Sequence, residues 1–519
     1  VAHEPAADDT DSLYLRHAAG RLVALTAMLT RRRLIGSAAA GAAGAALPAG
    51  AEAATRRKGA RVPRADVVVV GGGLAGLTAA RAIRKAGKSV LVVEARHRVG
   101  GRVVNHNLGN GVVAELGAEY VGPTQDRILA LAKELGVQVF PTYDTGDNVY
   151  FFDGSRSTWN DTGPSGTAPL DPVIATDLAS VVTRLNDMST QVPVDAPWKA
   201  PSAADWDQQT LETWLRANTA TEKFRRLATV ATRAIFGAET RDISLLYTLF
   251  YIASSGNEQN PGTFDRNFST RNGAQESRFV GGSGRIPLRM AKDLGRRVHL
   301  GRPVRRITQD RNGVRVYADG ATFAGRRAIV ALAPALAARI AFSPDLPYLR
   351  DGLTQRAPMG ALIKCEFIYD RPFWRDDGLT GFAITDKGPC NVIFDNSPPG
   401  GTPGLIFGFA GGDQARDWGE RGMAERRAGT LQNLVDCFGS KATSPKGYFE
   451  AHWPHETWTR GCPVGVLGPG TLSEYGPALR APVGRLHWAG TETADYWSGY
   501  MDGAVRSGER AAREALAGL

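Results

Sequence analysis

Four consecutive β-branched residues, Val67-Val68-Val69-Val70, open the ordered apolar patterning of this chain. A run with no polar face reads as a strand covered on both sides, as in the middle of a parallel sheet. Residues 74–86 then place apolar positions at helical spacing and stop at Gly87, where a left-handed turn would end a helix. A second apolar run follows at 89–93. Strand, turn, helix and strand make one βαβ unit, which puts a parallel sheet in the N-terminal part of the fold.

Beyond it the pattern changes period several times. Residues 143–204 are rich in Asp, Ser, Thr, Pro and Gly, and longer helical patterns run through 211–252. Alternation returns at 297–316, and 327–332 reads as another buried strand. Residues 353–449 mix alternating strands, such as 361–369, with a helix at 423–437; a short strand at 484–488 and a helix at 503–516 follow. The chain therefore leaves the first sheet and returns to it. This predicts an α/β fold with one domain built from 64–145, 281–335 and 453–519, and an interleaved α+β domain from 146–280 and 336–452.

Composition changes this picture little. The 519 residues suffice for two or three domains, and 43% hydrophobic with 22% charged residues is the balance of a soluble globular protein. The net charge of +10 is spread along the chain without a recognisable nucleic-acid module, so no nucleic-acid partner is expected. Part of the excess sits early. Thr30-Arg31-Arg32-Arg33-Leu34-Ile35 precedes a Gly- and Ala-rich run and the small residues Ala51-Glu52-Ala53, which resembles a twin-arginine export signal over 1–53. The expected location is extracellular or associated with the cell envelope. No apolar tail follows the last helix, so no membrane anchor is expected. The four cysteines, Cys365, Cys390, Cys437 and Cys462, form no Cys-x-x-Cys pair, and no metal site is expected.

The candidate chemistry begins at the first turn. Gly71-Gly72-Gly73-Leu74-Ala75-Gly76 has G-x-G-x-x-G spacing directly after a strand and opening a helix. Gly71 would permit the tight turn, Gly73 the approach of backbone to a pyrophosphate at the helix N-terminus, and Gly76 the packing of helix on sheet. Glu94 ends the second strand about twenty residues on, where a carboxylate can accept hydrogen bonds from ribose hydroxyls. A dinucleotide follows from this spacing; which dinucleotide does not.

The residues after it resemble a known pattern. Glu94-Ala95-Arg96 with Val99-Gly100-Gly101-Arg102 is similar to the two-dinucleotide-binding flavoproteins, in which Arg102 would pair with phosphate. Trp488-Ala489-Gly490-Thr491-Glu492-Thr493, followed by Trp497-Ser498-Gly499-Tyr500-Met501-Asp502-Gly503-Ala504, resembles the C-terminal flavin signature of the flavin-dependent monoamine oxidases. The resemblance implies FAD, a two-dinucleotide-binding (Rossmann-like) FAD domain and an interleaved substrate domain. It places Glu492 on the ribityl chain and the helix N-terminus at Met501 against the flavin ring. Gly117-Ala118-Glu119-Tyr120 is similar to the family's flavin-ring segment, with Tyr120 also reaching the substrate. By the same resemblance Phe268 and Gln275 line the substrate cavity, Val304 holds the adenine through its backbone, and Trp453 packs near the flavin. Lys364 matches the lysine that holds a water against flavin N5, and Tyr500 one aromatic wall around the amine. Animal members carry a flavin-linked cysteine followed by a tyrosine. Here Cys462 is followed by Pro463, as in members whose FAD is not covalently attached, so non-covalent FAD is expected beside the alternative of a Cys462 link. Tyr500 is left as the one aromatic wall, with Pro463 in place of the other.

The implied activity is oxidation of a primary amine to imine and aldehyde, with O2 reduced to hydrogen peroxide and ammonia released. Lys364 and Tyr500 are the expected catalytic residues, the amine and O2 the partners, and a homodimer the alternative to a single copy. Two enzyme alternatives stay open: an L-amino-acid oxidase, which needs an arginine for the substrate carboxylate, and a polyamine oxidase, which needs carboxylates at the cavity mouth. A non-catalytic flavoprotein scaffold is the reading from another class.

Overall fold

The computed structural model describes residues 62–163, 166 and 168–519. The twin-arginine segment over 1–53 lies outside the described residues. Within them the fold is mixed α/β, organised by two sheets.

The first sheet carries the βαβ unit. Arg64–Val70 lies at its centre, parallel to Val90–Val93 on one side and to Ala321–Ala331 on the other. Val67, Val68 and Val69 are wholly buried, as a run without a polar face requires. Val298–His299 extends one edge; Gly313–Ala318, Val304–Asp310 and Ala341–Ser343 extend the other, and Leu486–Ala489 pairs with the C-terminal half of Ala321–Ala331. The edge strand Ala341–Ser343 falls past 335, in a stretch the alternation had placed with the other sheet. Three strands from three distant stretches thus end beside the glycine turn.

The helix Leu74–Lys85 packs on this sheet at unusually short range. A Cβ on Gly76 would lie 2.0 Å from the Gly71 carbonyl oxygen, so only glycine allows the helix to start so close to the strand. The last helix, Met501–Ala517, lies against the first helix at a second such point, where a Cβ on Gly508 would lie 2.3 Å from the Ala75 carbonyl oxygen. These approaches fix the position of two helix N-termini relative to one another.

The second sheet has seven strands in the order Gly447–His452, Leu362–Tyr369, Gly404–Gly411, Val392–Asp395, Leu379–Thr385, Asp147–Phe152 and Ser155–Trp159. Four helices cover one side of it: Ala175–Ser189, Leu211–Asn218, Glu222–Phe236 and Leu245–Ser254. Thr210 and Ser244 cap two of them by accepting from the backbone N–H three residues on, and Gly237 ends a third at φ 63. The hairpin at 147–159 and the helix Ala175–Ser189 fall in the Ser-, Thr- and Pro-rich stretch, where turn-forming composition hid them. No helix among the described residues is long and apolar enough to cross a membrane.

Gly76→Ala is expected to destabilise the folded chain by about 3 kcal/mol and to lower FAD retention, because the strand-to-helix turn must open. Denaturant unfolding and the flavin-to-protein absorbance ratio measure both.

Candidate active site

A cleft opens where the first sheet ends. Gly71, Gly73, Leu74 and Ala75 form one wall, Glu94, Arg96, Gly101 and Arg102 the next, and Gly117, Ala118, Lys364, Trp453, Cys462, Tyr500 and Met501 its far end. Gly73 caps Leu74–Lys85 with backbone alone; no side chain satisfies the first N–H groups, and a Cβ there would meet only Gly100 O and Gly101 Cα, each at 4.0 Å. A helix N-terminus left open toward a cleft attracts an anion such as a pyrophosphate. Glu94 is buried behind it, its Oε2 accepting from Gly72 N at 2.6 Å and its Oε1 from Arg96 N at 2.9 Å. Arg96 in turn pairs with Glu456 and Thr459. The glycine cradle, the open helix end and the buried carboxylate together fit a dinucleotide of the FAD type.

Arg102 lines the cleft and is held there by a buried partner. It makes a two-bond pair with Glu492, Nη1 to Oε1 at 2.7 Å and Nη2 to Oε2 at 3.1 Å, and Nη1 donates to the Pro463 carbonyl at 2.6 Å. Burial works against the guanidinium charge, and the Glu492 carboxylate outweighs it. Glu492 lies behind Arg102 rather than in the cleft lining. Each answers the other's charge, because neither could be buried alone at tolerable cost.

Gly76 and Val304 also stand off the lining. Gly76 serves the packing described above. Val304 starts the strand Val304–Asp310, while the neighbouring Gly301 and Arg302 bond through their backbones to Arg96 and Glu94.

Beyond the cleft lies a second space, a cavity of about 800 Å³. Tyr120, Phe268 and Gln275 line it, together with Leu, Val, Ala and Phe side chains from the helical layer. Cleft and cavity share a neck: Gly117, Ala118, Ala234, Phe409, Pro463, Gly499, Tyr500 and Met501 border both. Tyr500 is fixed there by its hydroxyl, which donates to the Asn267 carbonyl at 2.9 Å, and by the edge-on Trp497 ring at 4.8 Å. Phe409 borders the neck as well, an aromatic ring that the expectation of Tyr500 as the one wall did not include. Phe409 sits opposite Lys364 in the sheet register. Alternation could place Phe409 on a strand, but no local signal gives the register between strands distant in sequence.

Lys364 is the strand residue that period-2 alternation turns inward beside Glu366. Only 1% exposed, it donates from Nζ to Glu119 Oε2 at 2.9 Å and to the Glu115 carbonyl, and Nζ lies 3.9 Å from the Phe407 ring centroid. Arg278 pairs with Glu115 at 2.9 Å on the same seam. Resemblance put Lys364 against flavin N5 through a water and Glu119 in the flavin-ring segment; their pairing across 245 residues is carried by no local pattern. Cys462 is buried in the cleft wall, and burial pushes its thiol well up against the pull of Arg102 and Lys364. All four cysteines are buried and unpaired.

The cleft and neck define a dinucleotide-dependent enzyme with a largely apolar space beyond the cofactor cleft. Comparison with known proteins gives the class its chemistry. The family model for flavin containing amine oxidoreductase matches residues 74–516, and the chain belongs to this family. It is 40% identical over 461 residues to amine oxidase [flavin-containing] B of Sus scrofa, covering 87% of this chain and 86% of that protein. It is 39% identical over 461 residues to an L-amino acid dehydrogenase of Synechocystis sp., covering 88% and 95%. The solved structure of cyclohexylamine oxidase from Brevibacterium oxydans IH-35A superposes with a TM-score of 0.83 at 34% identity, over 88% of this chain and 100% of that one. The protein is an FAD-dependent amine oxidase.

The buried cluster gives a pH-dependent stability. Burial pushes the Glu366 carboxyl up to about 8, with Lys364 pulling down and Glu119 adding to the rise. A carboxyl raised in the folded state stabilises most below its unfolded value near about 4.3, and that contribution is lost as pH rises through the folded value. Glu366→Gln is therefore expected to gain on the parent by a few kcal/mol, as an order of magnitude, between about pH 5 and about pH 9, measured by denaturant unfolding at both.

Proposed function

We propose that the enzyme oxidises primary amines with an apolar body, taking hydride from the α-carbon and releasing an imine that hydrolyses to aldehyde and ammonia, with dioxygen reduced to hydrogen peroxide. The observation that carries the substrate class is the cavity lining: among the described residues that form it there is no Arg, Lys or His. A substrate carboxylate would enter without a partner, at a cost of several kcal/mol, whereas a hydrocarbon body gains about 25 cal/mol per Å² buried. This disfavours amino acids as substrates.

FAD, when bound, supplies the hydride acceptor. In this reading the loop from Gly71 to Gly76 and the helix N-terminus hold the pyrophosphate, Glu94 the ribose, and the Arg102–Glu492 pair braces the wall beside Cys462. Met501 brings the second helix N-terminus to the cleft's far end, where negative charge would be stabilised. Tyr500 and Phe409 orient the amine at the neck, and the shut apolar walls keep water from the reacting carbon. Lys364 faces the cleft from the opposite side. Cys462, kept protonated by burial, is a poor nucleophile, which supports non-covalent FAD. Export through the twin-arginine route is part of the same proposal and rests on Arg31, Arg32 and Arg33 with the small-residue run after them.

Phenethylamine is expected to release peroxide with a kcat/KM on the order of a hundredfold or more above that of phenylalanine, its carboxylated counterpart. Equal turnover of the two would overturn the substrate reading. Denaturation in organic solvent is expected to leave the yellow colour in the supernatant, and Cys462→Ala to keep full FAD content; colour in the protein pellet would overturn the non-covalent reading.

A further inference from the structure

An alkylamine has a pKa near that of a lysine side chain, about 10.4, and so meets the protein as an ammonium. Hydride can leave the α-carbon only when the nitrogen lone pair is free to take up the positive charge, so one proton must go first. The side chains of the neck offer no acceptor for it. Of the acids that line the cavity, Asp171 is paired with Lys223 at 2.6 Å and Asp265 is exposed to solvent. Glu119 is different. It follows Gly117 and Ala118 of the neck, lines the cavity at 3% exposure, and has one oxygen committed to Lys364 while Oε1 carries no hydrogen bond. A buried carboxylate oxygen without a donor is costly, and one beside an amine's binding place is a proton acceptor in waiting.

We infer that Glu119 is a further catalytic residue of this enzyme, the base that takes the proton from the incoming alkylammonium. This rests on the amine-oxidase reading above. An N–H bond breaks, an O–H bond forms at Oε1, and the neutral amine is left at Tyr500 and Phe409. Loss of hydride then converts the amine directly to its iminium. The captured proton and the hydride together account for the two hydrogens of peroxide, so RCH2NH3+ and O2 give RCH=NH2+ and H2O2 with atoms and charge balanced. The groups facing Glu119 suit the exchange. Lys364 and Arg278 are its cations, Glu115 and Glu366 its neighbouring carboxyls, and Tyr120 its adjacent phenol. Burial raises the Glu119 carboxyl while Lys364 and Arg278 pull it down, so both protonation states stay within reach.

The test counts protons on binding to the FAD-loaded enzyme. α,α-Dimethylphenethylamine has no hydrogen on its α-carbon and cannot be oxidised. Titration calorimetry at about pH 7.5 in buffers of different ionisation enthalpy is expected to show about zero protons released by the parent, and about one by Glu119→Gln, where the proton has only solvent to go to. Glu119→Asp and Asp265→Asn are expected to behave as the parent. About one proton released by the parent itself, or equal release by parent and Glu119→Gln, overturns the assignment, and the first needs no variant to fold. Anaerobic bleaching of the flavin by phenethylamine is a separate reading on the parent: its failure overturns the amine chemistry, while the proton count tests Glu119.

Discussion

Two cations and three carboxyls buried together at the seam of the two sheets constrain everything else in this enzyme. Lys364 and Glu366 come from one strand of the second sheet, Glu115 from the end of the strand Val112–Glu115, Glu119 from the loop after it, and Arg278 from the short strand Ser277–Phe279. None could be buried singly, since an isolated charge in a low-dielectric interior costs several kcal/mol. Each therefore holds the next in place. With Glu366 neutral the remaining two cations and two carboxylates balance, and the seam is rigid because any displacement would leave a charge unanswered.

That rigidity sets the geometry of the neck. Gly117 and Ala118 precede Glu119 in the loop, and Phe409 lies across from Lys364 in the sheet, so the ion pair locates both the floor and one aromatic wall of the opening between cleft and cavity. The opposite wall is set independently, by Gly76 letting the first helix start against its strand and Gly508 letting the last helix approach the first, which brings Met501 and Gly73 to one cleft. A polar seam and a glycine-packed helix pair thus meet at Tyr500. The cavity behind it is lined mainly by apolar side chains, with Glu119, Asp171 and Asp265 its charged groups.

The sequence was most informative where chemistry is local. The spacing from Gly71 to Gly76 with Glu94 behind it required a dinucleotide, because turn, helix end and ribose carboxylate lie within one βαβ unit. Resemblance then supplied FAD and amine oxidation, and both agree with the family to which the chain belongs. The hairpin at 147–159 and the helix Ala175–Ser189 were missed because Ser, Thr and Pro mask a pattern that tertiary burial rescues. The partner that holds Arg102, Glu492, stands 390 residues away and was beyond any local pattern.

What the sequence determined by itself was the dinucleotide turn and the βαβ unit of an α/β architecture, written in residues close enough to interact before any folding is assumed. What only the tertiary structure decided was which charges answer one another and which walls share a space. Glu119 with Lys364 and Arg102 with Glu492 are contacts between strands and loops from distant parts of the chain, and Phe409 and Tyr500 come from equally distant parts to border one neck. Their existence depends on sheet register and on desolvation, and neither property belongs to any short stretch of sequence.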